Sequence, residues 1–225
     1  MGIRIFKHIK YIIECIEEVI YPYESKCVIC EKYVEEDLIC KECFNSIKFC
    51  NDIKLIKNGE TCFSAFPACY YSGIMMELIL NLKYKSDFKS GEVIANLMCR
   101  KLKKSDISID IITFVPSSKK SYKKRGYNQS EYLAKLISKD INVPMTKCLK
   151  KNANSKDQIG LNGTERWLNV KDSFKVYNQN YIKNKKIILI DDVLTTGATS
   201  FYCANELKKN GAREIFILTA AKSDV

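Results

Sequence analysis

The stretch Ile187–Thr199, "IILIDDVLTTGAT", runs from four aliphatic residues into two aspartates and then into a tract of threonine, glycine and alanine. A short aliphatic run bounded by Lys185 and Lys186 reads as a fully buried parallel strand. Asp191 and Asp192 then stand at its carboxyl end, where ligands bind in open α/β sheets. The small, hydroxyl-rich Thr195-Thr196-Gly197-Ala198-Thr199 leads into "SFYCANELKKNGA", whose apolar spacing and closing Gly211 describe a helix. Free amides at a helix N-terminus attract anions, most often phosphates. One ligand carrying both a phosphate and carboxylate-binding hydroxyls fits both halves, and a phosphorylated sugar has both. The plainer reading is an Asp-capped turn between a strand and a helix. The GxxxxGK[ST] phosphate loop is absent.

This motif resembles the phosphoribosyl-pyrophosphate signature of type I phosphoribosyltransferases. The resemblance implies that Asp191 and Asp192 hold the ribose hydroxyls at the catalytic centre, and that Thr195 to Thr199 cradle the 5′-phosphate. Mg²⁺ would accompany the sugar pyrophosphate.

A second pattern lies near the other end. "CVICEKYVEEDLICKEC" holds Cys27, Cys30, Cys40 and Cys43, two Cys-x-x-Cys knuckles with nine residues between them. That spacing suits tetrahedral thiolate binding of Zn²⁺, and four sulfurs leave no open position for a catalytic water, so the metal is expected to be structural. Cys50 and Cys62 lie outside the spacing. Cys15, Cys69, Cys99, Cys148 and Cys203 sit among apolar residues and read as small core residues.

The chain's 225 residues suffice for one medium domain and a small appendage. We place an N-terminal helix and zinc-binding module at 1–60, ending in a polar connector, and a phosphoribosyltransferase-like domain at 61–225. The formal charge of +11 favours an anionic partner, although a lysine-rich composition throughout gives the same sum. No apolar run reaches the length of a membrane span, and Lys7, Lys10, Glu14, Glu17 and Glu18 interrupt the N-terminal segment. That segment reads as an amphipathic helix ending near Pro22, with His8 on its surface. It packs on the protein in the preferred reading and on the inner face of the membrane in the alternative. The location expected is cytoplasmic.

Between the two motifs, "IMMELILNLKYKSD" and "SGEVIANLMCRKLKKS" read as helices, and "IITFVP" as a buried strand. The last opens into a basic loop, Ser117 to Asn128, with Lys119, Lys120, Lys123, Lys124 and Arg125. Alternating strands and helices of these lengths give a parallel sheet with helices on both faces. The segments "LKYKSD", "VPSSKKSYKKRGYNQSEYLA" and "KDQIGLNGTERWLNV", together with the opening motif and the four cysteines, are similar in order to ComF-type proteins. That resemblance implies a cytoplasmic role in uptake of single-stranded DNA during natural transformation, beside a DNA-uptake helicase. It makes Ser117 to Asn128, with Lys124 and Arg125, the pyrophosphate loop, and Asn152 to Asn169 a loop that closes over substrate. Where related amidophosphoribosyltransferases carry an acid, this chain has Pro116-Ser117-Ser118. Two functions stay open at this point. The chain either binds the sugar pyrophosphate and nucleic acid, with Tyr122, Tyr127 or Trp167 stacking on bases, or transfers the phosphoribosyl group to an acceptor the sequence does not name.

Overall fold

A computed structural model describes residues 26–152, 167 and 170–223. The N-terminal segment with His8 and Cys15, and most of Asn152 to Asn169, lie outside the described residues.

Five strands form the main sheet: β1 (Lys54–Asn58), β2 (Thr61–Tyr70), β3 (Ile111–Phe114), β6 (Lys186–Leu194) and β7 (Glu214–Lys222). Their spatial order is β1-β2-β7-β6-β3. All neighbours run parallel except β1, which pairs antiparallel with β2 across a turn at Gly59. Strand β1 therefore lies inside the stretch expected to be a polar connector. Its single inward side chain, Ile56, is buried while both flanks are exposed, and that faint signal is easily read as a loop. Ahead of the sheet, the second cysteine knuckle leads into a one-turn helix, α1 (Lys41–Asn45), capped by Cys40.

The aliphatic run behaves as the sequence predicts. Ile187, Ile188, Leu189 and Ile190 are fully buried in β6, between β3 and β7. Each such side chain contributes roughly 1.5–3 kcal/mol on burial. Alternate residues feed two cores. Ile188 and Ile190 pack with helices α2 (Gly73–Leu80), α3 (Phe88–Lys103) and α5 (Gln129–Ile141). Ile187 and Leu189 pack on the opposite face with α6 (Ala198–Lys209) and a small antiparallel pair, β4 (Leu149–Lys151) and β5 (Phe174–Val176). Helices thus cover both faces, as expected, whereas the β4/β5 pair falls in a stretch the sequence leaves irregular. Cys69, Cys99, Cys148 and Cys203 are buried thiols. Burial, the largest influence on each, pushes Cys69 and Cys99 up to about 12, so both are neutral core groups.

Two further departures shape the site. The expected helix "IMMELILNLKYKSD" ends as α2 at Leu80 and continues as a π turn, Asn81–Lys85, closed by Ser86 at φ +53°. The expected basic loop contains a helix, α4 (Lys119–Arg125), capped by Ser118 and ended by Gly126 at φ +80°, a left-handed conformation that favours glycine.

Candidate functional site

Strands β3 and β6 are parallel neighbours, yet the helices that follow them go to opposite faces: α5 after β3, α6 after β6. Such a divergence leaves a crevice beyond the strands' carboxyl ends. It is present here as a cleft of about 240 Å³. One wall is Val115-Pro116-Ser117-Ser118. The other is the segment from Asp191 to Ser200, with Lys83, Arg125, Gln129 and Lys151 reaching in.

The strand does not stop before the acids. Asp191 still pairs with Thr219, and β6 continues to Leu194. Asp191 is consequently 8 % exposed, and its oxygens are already engaged. Oδ1 accepts from Ser130 Oγ at 3.1 Å and from the Asp192 amide at 2.9 Å, while Oδ2 accepts from Ser200 Oγ at 3.0 Å. Ser130 lies in the first turn of α5 and Ser200 in the first turn of α6, so one carboxylate ties together the helices that diverge around the cleft. Burial, reinforced by the Asp192 charge, pushes the Asp191 carboxyl up to about 7.

Asp192 is the more accessible acid. Its Oδ2 lies 2.7 Å from Lys83 Nζ, and its Oδ1 accepts from the Val193 amide at 2.6 Å. Burial alone would lower the Lys83 ammonium, but the charges of Asp192 and Asp191 outweigh it and hold the group above its ordinary value. The π turn brings Lys83 here. Local i→i+5 turns of this kind recur at functional sites.

The phosphate-loop candidates divide. Thr195, Gly197 and Thr199 line the cleft; Thr196 Oγ1 instead accepts from the Ala198 amide at 3.4 Å, and Ala198 is buried. Gly197 stands at φ +81°, and a Cβ there would come within 2.9 Å of Ile56 Cγ2. Its small size thus serves a close approach of β1, not only a free path to a ligand. Arg125 lines the cleft, whereas Lys124 is exposed and lies 5.8 Å from the Tyr84 ring. Tyr127 is not a free stacking platform: its hydroxyl donates to the Leu82 carbonyl, and its ring packs 5.2 Å from Phe88. Trp167 packs on Phe201 at 5.3 Å and Tyr202 at 5.7 Å.

Residue-by-residue reading missed Lys83, Gln129, Ser130, Lys151 and Ser200. Lys83 and Ser130 fall inside the segments "LKYKSD" and "NQSEYLA", but nothing local in a sequence shows that a lysine more than a hundred positions away will meet Asp192.

At the far side of α3, the Sγ atoms of Cys27, Cys30, Cys40 and Cys43 all lie within 4.8 Å of one another, with Cys30 and Cys40 at 3.6 Å. A tetrahedral zinc with bonds near 2.3 Å sets its sulfurs roughly 3.8 Å apart. The set fits such an ion. Mg²⁺ is less well served in the cleft: its two lining carboxylates are bound by hydroxyls and by an ammonium.

No family model matches the chain. Among curated proteins, it is 23% identical over 211 residues to Competence protein F of Haemophilus influenzae, covering 88% of this chain and 90% of that one. It is 26% identical over 213 residues to Competence protein ComFC of Bacillus subtilis, covering 87% and 80% respectively. Among solved structures, it is similar to the glutamine phosphoribosylpyrophosphate amidotransferase from B. subtilis at a TM-score of 0.46 and 18% identity. That match covers 74% of this chain and 35% of the other. The chain is thus similar over most of its length to competence proteins of the ComF type, and over 47% of its length, at 27% identity, to the DNA utilization protein YhgH of Escherichia coli.

Proposed function

We propose that the cleft binds phosphoribosyl pyrophosphate and that the protein serves uptake of single-stranded DNA in natural transformation. The carrying observation is the meeting, at one switch point, of the Asp191–Asp192 pair with the Gly197-headed helix, in a chain similar to competence proteins over most of its length. In this reading Asp192 accepts from the ribose hydroxyls and Asp191 orients it and the surrounding helices. The amides and hydroxyls of Thr195 to Thr199 take the 5′-phosphate, and Arg125, with Lys124 behind it, faces the pyrophosphate. Charge-assisted hydrogen bonds of this kind are each worth roughly 1.5–3 kcal/mol.

Zinc in the cysteine module is structural in this reading, since four thiolates close its coordination shell. The exposed cations of α4 would contact the DNA backbone, and a DNA-uptake helicase is the protein partner. Among the described residues no helix is long and apolar enough to cross a membrane. We place the protein in the cytoplasm.

Titration calorimetry with phosphoribosyl pyrophosphate and Mg²⁺ tests the reading, and a flat isotherm at millimolar ligand removes it. A pyrophosphate-release assay against candidate acceptors then separates a binding module from a phosphoribosyltransferase. Turnover would require Asp191 and Asp192 to stabilise the positive charge that grows on the sugar as its bond to pyrophosphate fails.

A further inference from the structure

We infer that the trough between the cysteine module and α3 is a protein-docking surface, shaped for the apolar face of an amphipathic helix whose flanks carry basic residues. What the cleft binds has no bearing on it. The module itself then keeps clear of nucleic acid.

The module meets α3 without closing against it. Leu38, Ile39 and Phe44 are only half-buried, and with Val93 and Leu97 of α3 they floor a trough of about 590 Å³. Along its α3 side the trough is lined by Glu92, Asn96 and Arg100, each about one turn from the next, so it follows that helix for roughly 12 Å. An apolar trough with a long axis fits a helix laid into it, whose anchors recur at i, i+3, i+4 and i+7.

The charge around the trough selects the partner. The chain as a whole carries +11, yet residues 26–45 hold five acids against three lysines. Glu36 and Asp37 stand exposed on the module side of the trough and Glu92 on the α3 side. Two cations also line it: Arg100 lies over the Phe44 ring at 4.9 Å, and Lys41 is exposed. Three carboxylates bordering an apolar floor favour cationic flanks and repel a phosphate backbone, and complementary rims of this kind set partner choice. A phosphate backbone is better matched by the exposed lysines of α4.

The probes are two labelled helical peptides with the same leucine stripe, one flanked by Lys and Arg and the other by Glu, titrated into the full chain by fluorescence anisotropy. The basic peptide should bind at least tenfold more tightly than the acidic one, although the protein's net charge would repel it. Serine in place of its leucines should abolish binding. Glu36→Lys, Asp37→Lys and Glu92→Lys together change only exposed side chains; the triple variant should melt with the parent, lose the basic peptide at least tenfold and gain the acidic one. In hydrogen exchange the basic peptide should protect amides of residues 36–45. Equal affinity for the two peptides, parental affinity in the triple variant, or protection only elsewhere overturns the inference. A tenfold gain in peptide affinity on removing residues 1–22 also overturns it, since the chain's own N-terminal segment would then be the occupant. Protection of residues 36–45 by a single-stranded oligonucleotide overturns it too, by making the module a nucleic-acid contact.

Discussion

The cleft and the cysteine module face the same electrostatic problem and answer it differently. Each gathers like charges: two adjacent carboxylates in one, four sulfurs within 4.8 Å in the other. In the cleft the fold supplies the answer. Strand β6 runs through the sheet interior, and Ser130, Ser200 and Lys83 converge on its acids from three separate elements. Among the described residues 26–45 the module has one isolated bridge, Lys26 with Tyr33, and no sheet. Its buried cluster is Cys27, Val34, Cys40 and Cys43, with Ile29, Ile39 and Ile74 alongside, and it leans on α3 through Arg100 stacked 4.9 Å from Phe44. Val28, Leu38 and Phe44 also pack against the main core, but the cluster around the sulfurs is small, so the module is expected to depend on an ion for much of its order. A charge cluster inside a sheet is held by the fold; one in a loop leans more on what can bind it.

The sharpest way to break this comparison is to remove the ion. Replacing Cys27 and Cys43 with Ser should abolish zinc in the purified protein and unfold residues 26–45, because structural zinc supplies on the order of 10–16 kcal/mol to modules of this kind. The sheet should persist. Hydrogen exchange reads both at once: amides of the module lose protection while those of β6 and β7 keep it. Equal protection of the module in parent and variant, or freshly purified protein without zinc, would show that packing alone suffices there.

A smaller effect separates the two aspartates. The folded-state value of Asp191, raised to about 7, stands above the ordinary carboxylate value near 3.9. Its contribution is therefore fully present below pH 4 and is lost as pH rises through about 7. A tenfold change in proton affinity is worth about 1.4 kcal/mol, so the loss is a few kcal/mol at most. Asp191→Asn should remove this slope: its urea midpoint should change less between pH 5 and 8 than the parent's, with the module's own pH dependence common to both. Hydroxyls rotate to donate or accept, so Ser130 and Ser200 can still pair with the amide. Parallel pH profiles for the two proteins would mean that Asp191 stays ionised in the folded state and is held by its hydroxyls alone.

The same contrast explains what could be read from the sequence. Both charge clusters are local in the chain, Asp191 beside Asp192 and the cysteines within seventeen positions, and both were legible with their structural addresses. The parallel layering followed from the aliphatic runs Ile111–Phe114 and Ile187–Ile190. Partners that the fold brings from afar were not legible. Lys83 depends on a π turn that no periodicity announces, and Ile56 lies in a strand with a single buried side chain. The helix α4 was hidden because a run of cations and a Gly126 resemble a loop; the cap at Ser118 was the available clue.

The smallest expected effect concerns α4, where neither sheet nor ion fixes the charges. Lys119, Lys120, Lys123 and Lys124 are exposed, and Tyr122 is exposed among them, while Arg125 turns toward the cleft. If this helix contacts single-stranded DNA, affinity should fall with salt at a log–log slope of about −0.7 per phosphate contact. Replacing the four lysines by Ser should flatten the slope by roughly 2 to 3 and leave phosphoribosyl pyrophosphate binding nearly intact. Tyr127→Ala is the informative contrast. Its hydroxyl anchors the π turn through Leu82 and its ring packs between Phe88 and Tyr132, so the change should loosen Lys83 and weaken sugar-pyrophosphate binding while the DNA salt slope stays parental. Fluorescence anisotropy with a labelled oligonucleotide across a salt series, beside calorimetry on the same proteins, reads the two sites separately. An unchanged slope in the lysine variant would make α4 a solvated surface, and a flattened slope in Tyr127→Ala would make that ring a stacking contact after all.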